Sequence, residues 1–173
     1  MSEFEDDSAM DVARTFLISL ATFFGIGRLP KTPGTWGTLA CLPLALLLNY
    51  WGPFFAMIFT VLMLPVAILS AELYEKKNGG HDSKEIVIDE VLGFLITMTW
   101  LPISWQSYAI GFFLFRFLDI LKPFPIGYID KKVRGGLGVV ADDVAAGIIA
   151  NIVLQVIYTK TSWLGSQVVT AGF

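Results

Sequence analysis

From Thr32 to Ala71 the chain carries no Asp, Glu, Lys or Arg. A stretch of that length has few ways to fold, because its backbone amides must be satisfied wherever its apolar side chains are buried. It is interrupted once, by "NYWGP" at 49 to 53, whose Asn, Gly and Pro are turn residues between two apolar halves. The spacing predicts a helical hairpin with arms near Trp36–Leu48 and Phe54–Leu73. These arms bracket the ~20 residues that a tilted helix needs to cross ~30 Å of hydrocarbon. Hydrophobic residues make up 55% of the 173-residue chain. With a mean hydropathy of +0.67, this lies outside the usual range of soluble domains. The expectation is an all-α, polytopic helical membrane bundle of about five to six helices.

The same reasoning extends along the chain. Val91 to Phe115 is also uncharged and is broken at "LPISWQS", which predicts helices near 86–101 and 108–121. A final crossing is expected at 141–158. The first apolar segment, 12–27, is shorter and starts beside Arg14, so it is read as re-entrant, interfacial or packed within the bundle. No linker, charge block or repeat divides the chain. The expected organisation is an acidic tail over 1–11, one membrane-embedded domain over 12–159 and a short tail over 160–173. The start, "MSEFEDDSAMDVAR", has neither the basic region nor the cleavage site of a secretory signal, so the apolar segments are read as permanent. The single Cys41 has no cysteine partner and reads as a buried thiol. A net charge of −3 argues against a nucleic-acid partner.

Cationic residues set the expected orientation. Arg28 and Lys31 fall in the first loop, Lys76, Lys77 and Lys84 in the second, and Lys122, Lys131, Lys132 and Arg134 in the third. The two hairpin turns carry none. By the positive-inside rule the three loops face the cytoplasm. Acidic residues gather at that same surface: Asp82, Glu85, Asp89 and Glu90 in "HDSKEIVIDEVLG", Asp119 in "FRFLDILKP", and Asp142 and Asp143 in "GVVADDVAAG". Taken singly, each group has a structural reading. Asp142 and Asp143 can cap the last helix, and Arg116 with Asp119, an i, i+3 pair among apolar neighbours, can fix helix packing. Yet three segments bring carboxylates to one face, which is the donor set selected by a hard divalent cation such as Mg²⁺. The first loop, "GIGRLPKTPGTWGTLA", adds glycines, threonines and the cations Arg28 and Lys31 just before a helix. Such a turn can cradle phosphate on backbone N–H groups, although a Pro/Gly turn that only starts a helix has the same composition.

Four segments, "PKTPGTWGTL", "HDSKEIVIDEVLG", "FRFLDILKPFPI" and "GGLGVVADDVAAG", resemble the phosphatidylglycerophosphatase A family in order and across nearly all of 25–150. Leu118 and Val140 depart from the residues frequent there, and neither position is charged. The resemblance implies a Mg²⁺-dependent lipid phosphatase of the bacterial inner membrane that converts phosphatidylglycerophosphate to phosphatidylglycerol. In that reading Asp89, Glu90, Asp142 and Asp143 bind Mg²⁺. Arg116 and Lys122 hold phosphate oxygens, with Gly34, Thr35 and Lys31 assisting. Asp119 orients Arg116 or joins the metal shell, and Asp82 transfers a proton or serves a second metal. The lone His81 could shuttle protons, though a single loop histidine more often has no such role. Other phosphatase chemistries lack their residues: there is no Cys-x₅-Arg loop, no histidine pair and no Asp-x-Asp-x-Thr/Val signature. A small transporter or a structural membrane subunit remains the alternative, one expecting a polar path through the midplane and the other leaving the acidic cluster without a role.

Overall fold

The computed structural model describes the backbone of residues 2–78 and 83–165 and the side chains of 10–78 and 83–165. Seven α-helices and no strand occur among the described residues: α1 Ser2–Ala21, α2 Pro33–Trp51, α3 Pro53–Asn78, α4 Ile88–Met98, α5 Trp105–Leu121, α6 Ile126–Lys132 and α7 Gly135–Lys160. One turn of 3-10 helix, Ile26–Arg28, lies between α1 and α2. The all-α expectation stands. The expected five to six helices become seven among the described residues because the third loop itself contains the short α6; α1 also runs on through the acidic stretch.

Among the described residues two helices, α3 and α7, are long and apolar enough to cross a membrane. Only 28% of the apolar window of α3 and 44% of that of α7 is buried inside the protein, so neither is the enclosed core helix of a soluble fold. Large apolar side chains such as Phe54, Ile58, Val61, Leu62, Phe113, Phe117, Ile152 and Val156 stand exposed along α3, α5 and α7. A patch this extensive is covered by something apolar, and the protein is membrane-associated.

The first hairpin closes on one residue. Gly52, with φ at 122°, joins α2 to α3 in a conformation that a Cβ would disfavour. In the second hairpin α4 has only 11 residues, about 16 Å, and eight of them are buried. Its C-terminal carbonyls end in apolar surroundings and need donors. Asn151 donates to the Thr97 and Thr99 carbonyls at 3.0 and 2.7 Å, and Gln155 donates to those of Thr99 and Trp100 at 3.2 and 3.1 Å.

α4 packs most extensively on α7, and glycines set how closely. A Cβ on Gly147 would strike the Gly93 carbonyl, and one on Gly93 would lie 2.7 Å from the Asp143 carbonyl and the Phe115 ring. The register runs in steps of four residues on both helices: Asp89 beside Asp143, Gly93 beside Gly147, Thr97 beside Asn151. Both steps have the same sense, so α4 and α7 are parallel neighbours. The N-termini of α2, α4 and α7 meet the C-termini of α3 and α5 at one end of the bundle. There Glu72 accepts the Gly136 N–H at 2.8 Å and Arg116 lies 3.6 Å from Glu90. At the other end Asn49 donates to Tyr108 at 3.1 Å and Ser104 to the Leu164 carbonyl at 2.5 Å.

Several expected boundaries move. α7 begins at Gly135 rather than 141, so Asp142 and Asp143 lie two turns inside it and cannot be its caps. Gly136 and Gly138 look like loop residues in sequence. In the fold they let α7 approach the Ile68 and Val133 carbonyls, which a Cβ at either glycine would overlap. α4 begins at Ile88 rather than 86, so Asp89 and Glu90 are helical while Glu85 lies before the helix. α3 continues to Asn78.

Replacing Gly147 by Ala should force α4 and α7 apart and lower stability by about 1–3 kcal/mol, the cost of overpacking. Thermal unfolding of the detergent-solubilised protein measures this, and a melting temperature equal to wild type would contradict the close crossing.

Candidate active site

A cavity of about 560 Å³ opens where the helix ends converge. It is lined by the start of α2, the residues before α4 and its first turn, the last turns of α5, α6 and the first third of α7. Its floor is acidic. Asp89, Glu90 and Asp143 each place a carboxylate oxygen within 4.8 Å of the others. Asp89 and Glu90 come from the first turn of α4, where the positive end of the helix favours carboxylates, and Asp143 comes from one turn before the Gly93–Gly147 crossing.

One oxygen of each carboxylate in the trio lacks a partner. Asp89 Oδ1, Glu90 Oε2 and Asp143 Oδ1 are buried and accept no hydrogen bond from the described residues. Buried acceptors are ordinarily paired, and three crowded carboxylates repel one another in a medium of low dielectric. Oxygen donors of this kind, close together and free of donors, suit a hard divalent cation. Asp142 is not one of the three. It accepts from Lys122 Nζ at 2.6 Å instead.

The cations are held on both sides of the trio. Arg116, 13% exposed, lies 2.5 Å from Asp119 and 3.6 Å from Glu90, while its Nε has no acceptor among the described residues. Lys122 donates to Asp130 at 2.5 Å as well as to Asp142. Burial opposes the charge on Lys122, but these two hydrogen bonds and carboxylate charges outweigh it and hold its pKa above the ordinary lysine range. The residue has a left-handed backbone, φ 43°, at the C-terminus of α5, a conformation that costs a non-glycine residue about 1–2 kcal/mol. That turn ends α5 and places Lys122 between α6 and α7.

The start of α2 completes the cavity wall. Thr32, Pro33, Gly34 and Thr35 line it, and helix geometry leaves the N–H groups of Gly34 and Thr35 without intrahelical acceptors. Gly34 has no room for a side chain, since a Cβ would collide with Glu90 Oε1 and lie 2.9 Å from Arg116 Nη1. The glycine lets a helix N-terminus lie directly against the carboxylate and guanidinium. Such a terminus can hold an anion.

Of the residues singled out in the sequence, Asp89, Glu90, Arg116, Asp119, Lys122, Asp142, Asp143, Gly34 and Thr35 all line this one cavity. Lys31 does not; it is exposed in the loop before α2. Asp82 and His81 lie outside the described residues. The cavity also contains Asp130, which sequence reasoning missed. Its surroundings, "IGYIDKKVR", read as an ordinary solvated basic loop.

The phosphatidylglycerophosphatase A profile matches residues 19–158. A Haemophilus influenzae protein named phosphatidylglycerophosphatase A is 43% identical over 137 residues, 78% of this chain and 84% of its own. An Escherichia coli protein of the same name is 38% identical over 139 residues, 80% and 81% of the two chains. A Bacteroides thetaiotaomicron protein, provisionally named a phosphatidylinositol-3-phosphatase, is 33% identical over 146 residues, 80% and 91%. No solved structure matches. With its profile covering most of the chain and its relatives aligned over most of theirs, this protein belongs to the phosphatidylglycerophosphatase A family.

Proposed function

We propose that this chain hydrolyses phosphatidylglycerophosphate to phosphatidylglycerol and inorganic phosphate at the membrane surface. One observation carries the reading: three carboxylates that place ligand oxygens within 4.8 Å of one another, each with a buried oxygen lacking a hydrogen-bond partner among the described residues, stand beside a half-buried arginine in a cavity at the bundle end. The family and its two like-named relatives supply the substrate. A lipid phosphomonoester carries its phosphate just outside the hydrocarbon, so a cavity at helix ends reaches it without extracting the lipid.

In this reading α2, α3, α4, α5 and α7 form a polytopic bundle in the bacterial inner membrane with the cavity towards the cytoplasm. Its support is the charge pattern: the loops at the cavity end carry the clustered Lys and Arg residues, and the hairpin turns at the far end carry none. The alternative of a small transporter has less support, since the charges collect at one end rather than along a path through the bundle.

Asp89, Glu90 and Asp143 are assigned to hold Mg²⁺. When bound, that ion neutralises phosphate charge and makes a coordinated water more acidic. The remaining steps belong to the chain. Arg116 presents its free Nε–H edge to the phosphate oxygens as a planar donor, and Asp119 fixes the plane of that fork. The N–H groups of Gly34 and Thr35 donate to the same anion from the α2 side. Asp142 keeps Lys122 over the cavity, where its ammonium meets the phosphate as a point charge. Water adds to phosphorus as the bond to the glycerol oxygen breaks; one of the water's protons ends on that oxygen, giving the free hydroxyl, and the other stays with the inorganic phosphate.

Phosphate release by the detergent-purified protein, with Mg²⁺ and with EDTA, tests the assignment on phosphatidylglycerophosphate, with phosphatidylinositol-3-phosphate as the comparison lipid. Release confined to Mg²⁺ and faster on the first lipid is expected; no release from folded wild-type protein would sink the reading. Asp143→Asn should lower the rate roughly a hundredfold or more while leaving the melting temperature no lower than wild type. A comparable loss of kcat/KM, roughly a hundredfold, is expected of Arg116→Lys, which keeps the charge and removes the fork. Wild-type kinetics in that variant would remove Arg116 from the phosphate site.

A further inference from the structure

Lys122 is bound twice, and its two carboxylate partners are not equivalent. Asp142 is 7% exposed at its side chain and sits on the long helix α7, one residue from the carboxylate trio. Asp130 is 35% exposed and sits on the seven-residue α6 at the cavity rim. Breaking the contact to Asp142 strands a buried carboxylate, whereas breaking the contact to Asp130 returns an accessible carboxylate to water. The exchangeable half of this bridge is therefore Asp130. The geometry is also that of an anion site already filled, with one carboxylate oxygen 2.5 Å from Nζ and Asp130 itself lining the cavity.

We infer that Asp130 is a placeholder: its carboxylate occupies on Lys122 the position a phosphate oxygen takes, and it leaves the lysine when phosphate binds. The inference rests on the phosphatase reading of this cavity. It makes Asp130 a positioning residue that keeps Lys122 directed into the cavity between turnovers and competes with both substrate phosphate and product phosphate. Competition of this kind also favours product release, because the carboxylate returns to the ammonium as inorganic phosphate departs.

The experiment is a ³¹P NMR titration of inorganic phosphate, in the presence of Mg²⁺, into wild-type protein, Asp130→Asn and Asp130→Glu. Losing an exposed competing ion pair should tighten phosphate binding about two- to fivefold in Asp130→Asn, and Asp130→Glu should remain at the wild-type value. The sign is diagnostic, since a variant that merely damages the site binds phosphate more weakly. Unchanged or weaker binding in Asp130→Asn, or no saturable binding in any of the three, overturns the placeholder. Hydrolysis of phosphatidylglycerophosphate followed in parallel separates the two ideas. Tighter phosphate binding in a protein that hydrolyses nothing keeps the placeholder and removes the phosphatase reading, while hydrolysis with unchanged phosphate binding does the reverse.

Discussion

The contact between α4 and α7 at Gly93 and Gly147 governs the rest of the molecule, since no side chain separates the two backbones there. In lipid the association of helices gains little from the hydrophobic effect, and close backbone approach of small residues replaces it. The two helices run parallel, so a crossing at one level also matches them one turn earlier, where α4 carries Asp89 and Glu90 and α7 carries Asp143. The carboxylate trio is thus a geometric consequence of two glycines. On the far side of the crossing the same register brings Asn151 under the Thr97 carbonyl, which lets α4 end after 11 residues without orphaned groups.

Around the trio the charges are arranged in two separate holdings rather than one network. Arg116 is fixed by Asp119 on its own helix and by Glu90, and Lys122 by Asp130 and Asp142. Neither cation lies on the unpartnered oxygens of Asp89 and Asp143. An arginine and a lysine that are occupied elsewhere leave those oxygens to a metal, and the starts of α2 and α4 add the positive ends of two helices on the same side. The cavity can therefore hold a cation and an anion together, which is the arrangement phosphoryl chemistry calls for.

Much of this was readable in the chain, for reasons that differ by feature. The uncharged runs around "NYWGP" and "LPISWQS" located both hairpins, because a backbone among apolar side chains must satisfy its own N–H and C=O groups and has few alternatives to a helix. Seven of the charged residues singled out for chemistry share one cavity, because charge in an apolar chain is costly and stays where it is used. The helix boundaries were less legible. Gly136 and Gly138 carry the signature of a loop, yet lie inside α7, where packing against the Ile68 and Val133 carbonyls outweighs their low helix propensity. α6 and its Asp130 were unreadable, since a seven-residue polar helix carries too little periodicity to distinguish it from a loop.

What the sequence determined by itself was the kind of solvent this protein needs, the end of the bundle that carries charge, and the family to which it belongs. Each of these is a property of composition and order along the chain. Which carboxylates stand together without partners, and which are taken by Arg116 and Lys122, was decided only by tertiary structure. Asp142 and Asp143 are chemically identical neighbours in sequence. A helix turns about 100° per residue, so one faces Lys122 and the other faces α4, and only the packing of α7 says which.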